Sequence, residues 1–217
     1  EHDVDKKIEE SKISPINYIN IFSGNQLFNK SKAFNFGVSK VKSESVVFQD
    51  ADILLRGDYT QQIYNILKNY DSCHIGKHVV YADQVSSETV INSQKVTNGL
   101  KLNRVVGYFE GGSLACKTAT YWKCGAFNED FWGYGCEDCD FYWRMKNVDG
   151  YYGIRTADFL HLHHGRVDGW EDHHKKNRSI MDGLSSRGLR ERLILQYSQL
   201  NRCGYSEFIK NFMDRLD

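Results

Sequence analysis

Apolar residues along this chain change spacing repeatedly, and the changes mark its elements. "INYINIF" (16–22) is β-branched and aromatic and stops at Ser23-Gly24-Asn25, so it predicts a strand. "LFNKSKAFNFGVSKV" (27–41) carries apolar residues near helical spacing, with Gly37 toward its end. "SVVFQDADILL" (45–55) predicts a buried strand whose end carries acids. "YTQQIYNILKNY" (59–70) predicts a second amphipathic helix, and "HVVYA" (78–82) and "NRVVGYF" (103–109) further strands. "TATYWKCGAF" (118–127) reads as a short helix and "EDCDFYWRMKNV" (137–148) as a better one. "YYGIRTADFLHLHH" (151–164) returns to strand, and from Asp168 onward the pattern is mostly helical and polar. The alternation predicts an α/β sheet flanked by helices. Residues 1–15 form a polar lead-in, residues 16–186 one domain, and residues 187–217 a helical extension.

Composition narrows the function classes. The 217 residues hold 28 basic and 28 acidic side chains, so nothing favours nucleic acid or an anionic surface as partner. No apolar run reaches the length of a membrane span, and the charged start "EHDVDKKIEESK" shows no signal peptide. The six cysteines are expected to be reduced thiols, because six are too few for a disulfide scaffold of this size. Aromatic residues make up 13% of the chain, which suits flat ligands such as sugars and bases as well as core.

Three segments carry candidate chemistry. Asp50-Ala51-Asp52 closes the "SVVFQ" strand, and in an extended chain residues two apart share a face. Two carboxylates on one face can hold Mg²⁺ or Mn²⁺, and through it a diphosphate. In "FLHLHHGR", His161 and His163 share a strand face and His164 points away. A carboxylate with two imidazoles makes a mixed N/O site that suits Mn²⁺, Co²⁺ or Zn²⁺ better than Mg²⁺. The third segment is "NEDFWGYGCEDCDFYWRM" (128–145). Its Cys136-Glu137-Asp138-Cys139 could join Cys116, Cys124 and the histidines in a structural zinc site. Its acids also sit at a helix start, where they complement the helix dipole.

Taken in order and spacing, these segments resemble the β1,4-galactosyltransferase family, and more distantly the polypeptide N-acetylgalactosaminyltransferases. The matching stretches are "LFNKSKAFNFGV", "VVFQDADILL", "YFEGGSLACKTATYWKCGAFNEDFWGYGCEDCDFYWRM" and "FLHLHHGR…HHKKNRSIMDGLSS", spanning Ile16 to Ser186. The resemblance implies a GT-A fold, a Rossmann-like mixed sheet flanked by helices, here without the family's first nucleotide-binding strand. It implies an inverting transfer of a hexose or N-acetylhexosamine from a UDP-sugar to a hydroxyl of a glycan or glycoside acceptor. Mn²⁺ would be the cofactor, with Mg²⁺ or Co²⁺ as substitutes. Asp138 would be the general base and Glu137 would hold the acceptor sugar. Trp132, with Gly133-Tyr134-Gly135, would form a mobile loop over the sugars, and Tyr108, Gly111 and Gly112 would line donor and acceptor. Phe28 would stack on uracil, Lys30 would stand in the place of an arginine, and Asp50 would lie near the ribose. Asp52, His161 and His163 would hold the metal, with His164 as the alternative in an H-x-x-H register. Two departures touch sugar choice: Glu110 interrupts a Y-F-G-G run, and Tyr134 replaces a tryptophan.

Two other readings stand beside the transferase. One is a degenerate or fragmentary transferase that binds sugar or nucleotide without turnover, and the other is the zinc protein built on the cysteines. Asn29-Lys30-Ser31 is an N-glycosylation sequon inside the expected nucleotide loop. A glycan there would obstruct the site, which favours a cytoplasmic protein, whereas animal members of the family are Golgi-lumenal.

Overall fold

The structure is a computed structural model, and it describes residues 2–3, 21–22, 27–55, 57–96, 98–166 and 168–185. Two short strands open it, β1 (His2–Asp3) and β2 (Ile21–Phe22), paired in parallel. The rest of the expected 16–22 strand, and the extension beyond 186, lie outside the described residues. So does the region of any earlier nucleotide-binding strand, apart from that pair.

Helix α1 (Lys30–Lys40) begins at Asn29, whose side-chain oxygen accepts from the Lys32 amide. That bond satisfies one orphan N–H of the first turn. Strand β3 (Ser45–Gln49) and strand β4 (Ile53–Leu54) come from the single run expected over 45–55. Asp50 breaks it: its carbonyl accepts from the Ile53 amide, closing a turn through Asp50-Ala51-Asp52. Then follow α2 (Tyr59–Leu67), β5 (Ser72–Cys73), β6 (Gly76–Ala82), α3 (Gln84–Ser93), β7 (Leu102–Gly107) and β8 (Ser113–Lys117). The chain continues through α4 (Thr118–Lys123), α5 (Glu137–Lys146), β9 (Tyr151–Tyr152), β10 (Ala157–His161) and α6 (Trp170–Ser185). Sequence spacing missed β5, α3 and β8. α3 is nearly neutral in its apolar spacing and is announced only by Asp83, which caps the Ser86 amide.

Two four-stranded mixed sheets result, β4-β10-β6-β7 and β3-β8-β5-β9. In the first, β10 runs parallel to β6 and antiparallel to β4, with Leu160 opposite Leu54 and His161 opposite Ile53. This register carries Asp52 to the end of the strand pair beside the histidines. The mixed, helix-flanked sheets agree with the GT-A expectation. The chain divides into two compact units. One contains 1–43, 121–144 and 168–217, and the other 44–120 and 145–167, so both sheets belong to the second. The second unit's core gathers Ile53, Ile63, Leu67, Ile75, Val79 and Phe159, with α2 packed on sheet residues. Aromatic rings make the first unit's core, with Phe127 stacked on Phe141 and Tyr121 edge-on to Trp122. The guanidinium of Arg144, fully buried, pairs with Asp140 at 2.7 Å and donates to the carbonyls of Cys124 and Ala126. A buried cation so fully bonded fixes the turn after α4, and losing either partner would leave the other charge uncompensated.

Candidate functional site

In the second unit, Asp52, His161 and His164 offer ligand atoms within 4.8 Å of one another. Asp52 Oδ2 lies 2.9 Å from His164 Nε2 and 3.8 Å from His161 Nε2. Both imidazoles are oriented by their other nitrogen. His161 Nδ1 faces the Leu162 carbonyl at 2.7 Å and His164 Nδ1 faces the Gly165 carbonyl at 2.8 Å. A carbonyl only accepts, so each Nδ1 carries a proton, and the Nε2 of each ring is left facing the Asp52 carboxylate. A divalent cation among the three would take an Nε2 lone pair from each ring, and a second bond to the ring is what orients metal-binding histidines. Burial pushes the His161 pKa down, outweighing the Asp52 carboxylate that pulls it up. A low imidazole pKa keeps the ligand form at neutral pH. The Leu162 amide donates to the Asp52 carbonyl at 2.8 Å, and the ring of Tyr81 stacks on His161 at 4.5 Å with Arg104 above it. The donor set of one carboxylate and two imidazoles fits Mn²⁺ or a similar divalent ion.

The ligand set differs from the expected one in one residue. β10 ends at His161, so strand alternation no longer governs the next residues. The chain bends after Leu162, the His163 amide donates to Ser87 Oγ, and His164 turns back onto His161 with ring centroids 5.3 Å apart. The H-x-x-H register therefore replaces H-x-H in this cluster. Asp50 is outside it as well, because the turn at 50–53 removes the shared face. Its amide donates to the Gly112 carbonyl at 3.0 Å, so Asp50 and the Gly111-Gly112 pair do come together. Gly112 has φ +81°, and a Cβ there would meet Phe159 and Ile53 at ordinary contact distance, so backbone conformation is what asks for glycine. Tyr108, at φ +54°, is 83% exposed beside this run, and Arg155 donates to the Phe109 carbonyl at 2.7 Å. Such an exposed ring in a left-handed conformation suits ligand contact better than packing.

In the first unit, Glu137 and Asp138 open α5 against one cation. Lys30 Nζ lies 2.9 Å from Asp138 Oδ2 and 3.3 Å from Glu137 Oε1. Lys30, expected at the nucleotide, here holds the acid pair. Glu137 is buried, and its pKa rises to about 7. Burial is the main cause and the neighbouring Asp138 carboxylate adds to it, while Lys30 opposes both. Desolvation wins over the ion pair because Glu137 gives up nearly all its water for one cation at 3.3 Å. Phe28 is half exposed, and its carbonyl accepts from the Gly133 amide at 2.8 Å.

Trp132 and Tyr134 sit in a loop that buried asparagines hold. Asn35 donates to the Phe127 carbonyl and to Glu129 Oε1, and its oxygen accepts from the Phe127 amide and the Tyr121 hydroxyl. Asn29 donates to the Glu129 carbonyl at 2.8 Å. Asn29 is fully buried with both ends of its amide engaged, so the folded protein cannot carry a glycan there. Asn177 of α6 bonds three successive parts of the loop. Sequence reasoning missed Asn35 and Asn177, because an asparagine in a polar helix reads as solvated surface, and it read Asn29 only as a sequon. The described cysteines take no part. Those described are thiols, no cysteine enters a metal-capable cluster among the described residues, and burial pushes the Cys73 and Cys124 thiols up to about 12 and about 11. Such thiols are inert.

Residues 96–165 match the family model described as the N-terminal domain of galactosyltransferase. No curated protein matches the chain. Among solved structures, it is similar to the catalytic domain of Drosophila β1,4-galactosyltransferase 7 in complex with xylobiose. Identity there is 18%, the match covers 68% of this chain and 60% of that one, and the TM-score is 0.39. It is also similar to a point mutant of the Drosophila enzyme in complex with manganese, UDP-Gal and xylobiose. That match has 17% identity, covers 69% and 61% of the two chains, and has a TM-score of 0.38. The chain thus spans about 60% of the length of the structures it matches.

Proposed function

We propose that this β1,4-galactosyltransferase-like chain transfers a hexose or N-acetylhexosamine from a UDP-sugar to a sugar hydroxyl, with inversion at the anomeric carbon. The observation that carries the reading is the Asp52–His161–His164 cluster, together with the galactosyltransferase match over 96–165. Asp52, His161 and His164 would hold Mn²⁺, which when bound neutralises charge developing on the departing diphosphate.

The remaining chemistry falls to side chains. Asp138 takes the proton of the acceptor hydroxyl as its oxygen bonds to the anomeric carbon and the bond from that carbon to the UDP oxygen breaks. Lys30 fixes Asp138 through Oδ2, which leaves Oδ1 to receive the proton. Glu137, near half-protonated at neutral pH with its pKa about 7, can donate to or accept from an acceptor hydroxyl and so orients the sugar. Trp132 and Tyr134 offer rings to the apolar faces of sugars. Phe28 takes the uracil, Asp50 the ribose, and Tyr108 with Gly111 and Gly112 the donated sugar.

A transfer assay tests the reading, with UDP-Gal first and then other UDP-sugars, on xylosides and other glycosides, with Mn²⁺, Mg²⁺ or chelator. Metal-dependent release of UDP coupled to acceptor is the expected result. A chain that binds UDP and Mn²⁺ but transfers nothing on any pair would be a binding module instead.

A further inference from the structure

We propose that α6 is the seat of the Trp132–Gly135 loop and that Asn177 is the positioning residue that sets this loop for the acceptor sugar. The inference rests on the transferase reading for its ligand, and on geometry within one unit for everything else.

The first observation is the face α6 presents. Trp170, His173, His174 and Asn177 follow one another at helical spacing, and Ile180, Met181 and Leu184 continue the same stripe. The lower half is apolar and packs on Phe131 and Cys136, the residues bracketing the loop. The upper half is polar and aromatic, and each of its members meets the loop itself. Asn177 is 1% exposed although both chain neighbours are exposed. Its Oδ1 accepts from the Trp132 amide at 3.3 Å. Its Nδ2 donates to the carbonyls of Trp132, Gly135 and Tyr134 at 2.9, 3.0 and 3.1 Å. One amide facing three carbonyls and one N–H can sit only one way round, which fixes the side-chain orientation. A carboxylate lacks the donors and an alkyl group lacks both functions.

The second observation is steric. Gly133 and Gly135 have φ +71° and +91°. A Cβ on Gly133 would stand 2.5 Å from His173 Nδ1, and one on Gly135 would stand 2.8 Å from His174 Cδ2. The glycines therefore serve the close approach to α6 as much as loop flexibility. Tyr134 meets Trp170 edge-on at 5.5 Å and lies 6.1 Å from the His174 ring. Backbone, glycine gaps and ring thus all register the loop on one helix face. That registration fixes where the rings of Trp132 and Tyr134 stand, and hence how a sugar can lie on them.

The test uses the full chain carrying Asn177→Asp, Asn177→Ala and, from the loop side, Gly135→Ala. Two quantities are read: amide hydrogen exchange over residues 130–136, and the Michaelis constants for acceptor and for UDP-sugar separately. Each variant is expected to speed exchange in the loop by at least about tenfold while distant strands stay protected. Acceptor KM should rise by at least about tenfold, with the UDP-sugar KM and the pH profile of transfer unchanged. Asn177→Asp should be the strongest, since it turns an acceptor toward three carbonyls. Should that variant fail to fold, Gly135→Ala breaks the same contact with Asn177 intact. Loop exchange as slow as in the wild type, or a parallel rise in both Michaelis constants, overturns the proposal. A wild type inactive on every donor and acceptor sinks the transferase reading while the exchange measurement still decides the role of Asn177.

Discussion

At the scale of single residues, the metal cluster turns on one position. The Asp50-Ala51-Asp52 and histidine segments were legible in sequence as a candidate metal site, but strand alternation chose His163 where the structure brings His164 to Asp52 and His161. Alternation holds only while the backbone is extended, and β10 stops at His161. His164→Ala should therefore weaken Mn²⁺ binding by at least about tenfold, a loss typical of removing one imidazole ligand, while His163→Ala changes it little. Calorimetric titration with Mn²⁺ decides between them, and the reverse order would restore the H-x-H register. The acid pair gives a second prediction. Asp138→Asn keeps shape but cannot take a proton at neutral pH, so kcat should fall by roughly 10²–10⁴-fold with UDP-sugar binding unchanged. Near-normal kcat in that variant would remove Asp138 from the mechanism.

Glu137 links residue chemistry to stability, and the sign follows from its raised pKa. The folded state holds the proton up to about pH 7, whereas an exposed glutamate loses it near its ordinary 4.5. Its stabilising contribution is therefore complete below about pH 4.5 and is lost as pH rises through 7. Over that window the loss is on the order of 3 kcal/mol, at about 1.4 kcal/mol per unit of pKa displacement. Glu137→Gln should flatten this part of the stability profile in urea titrations run from pH 4.5 to 7.5. A wild-type profile that rises across the window would show that Lys30, not burial, governs Glu137.

At the scale of elements, strongly periodic segments were read well. α1, α2 and α5 lie within their expected ranges: the capping Asn29 announces α1, the apolar stripe Tyr59, Ile63 and Leu67 announces α2, and an acidic first turn announces α5. β5 could not be read, since two residues carry no period and exist only through pairing with β8 and β9, whereas β9 falls within the strand expected over 151–164. The stripe on α6 was overlooked for a different reason. Its upper half is histidine and asparagine, which a hydrophobicity pattern scores as solvent-facing, while the loop it receives lies some forty residues upstream. The fourth prediction concerns the same loop from its other side. Asn35→Ala removes bonds to the Phe127 amide and carbonyl and to Tyr121 in a fully buried setting, and should cost about 2–4 kcal/mol as several polar groups lose partners. Chemical denaturation measures this, and a change under 1 kcal/mol would mean that the loop relaxes without its tie.

At the scale of the whole molecule, the balance of 28 basic and 28 acidic residues leaves no general field to attract a diphosphate. On the proposed reading, affinity for a nucleotide would come from a local charge, and the one metal-capable cluster among the described residues would supply the place for it. This separates the transferase from its rivals without any need for turnover. UDP with Mn²⁺ should raise the melting temperature together far more than either does alone. At a hundred times Kd the gain is about 2.7 kcal/mol, or about 5–10 °C for a chain of this size. Asp52→Asn, which replaces the anionic ligand with a neutral one of the same shape, should abolish the manganese-dependent part and leave the unliganded melting temperature within a few degrees. Replacing Cys136 and Cys139 together with serine should leave the shift intact, because neither thiol belongs to the cluster. If Zn²⁺ alone stabilises the chain and the cysteine variant loses that effect, the metal belongs to the thiols. If UDP stabilises equally in chelator, the nucleotide is held without the cluster and the role given to Asp52, His161 and His164 is wrong.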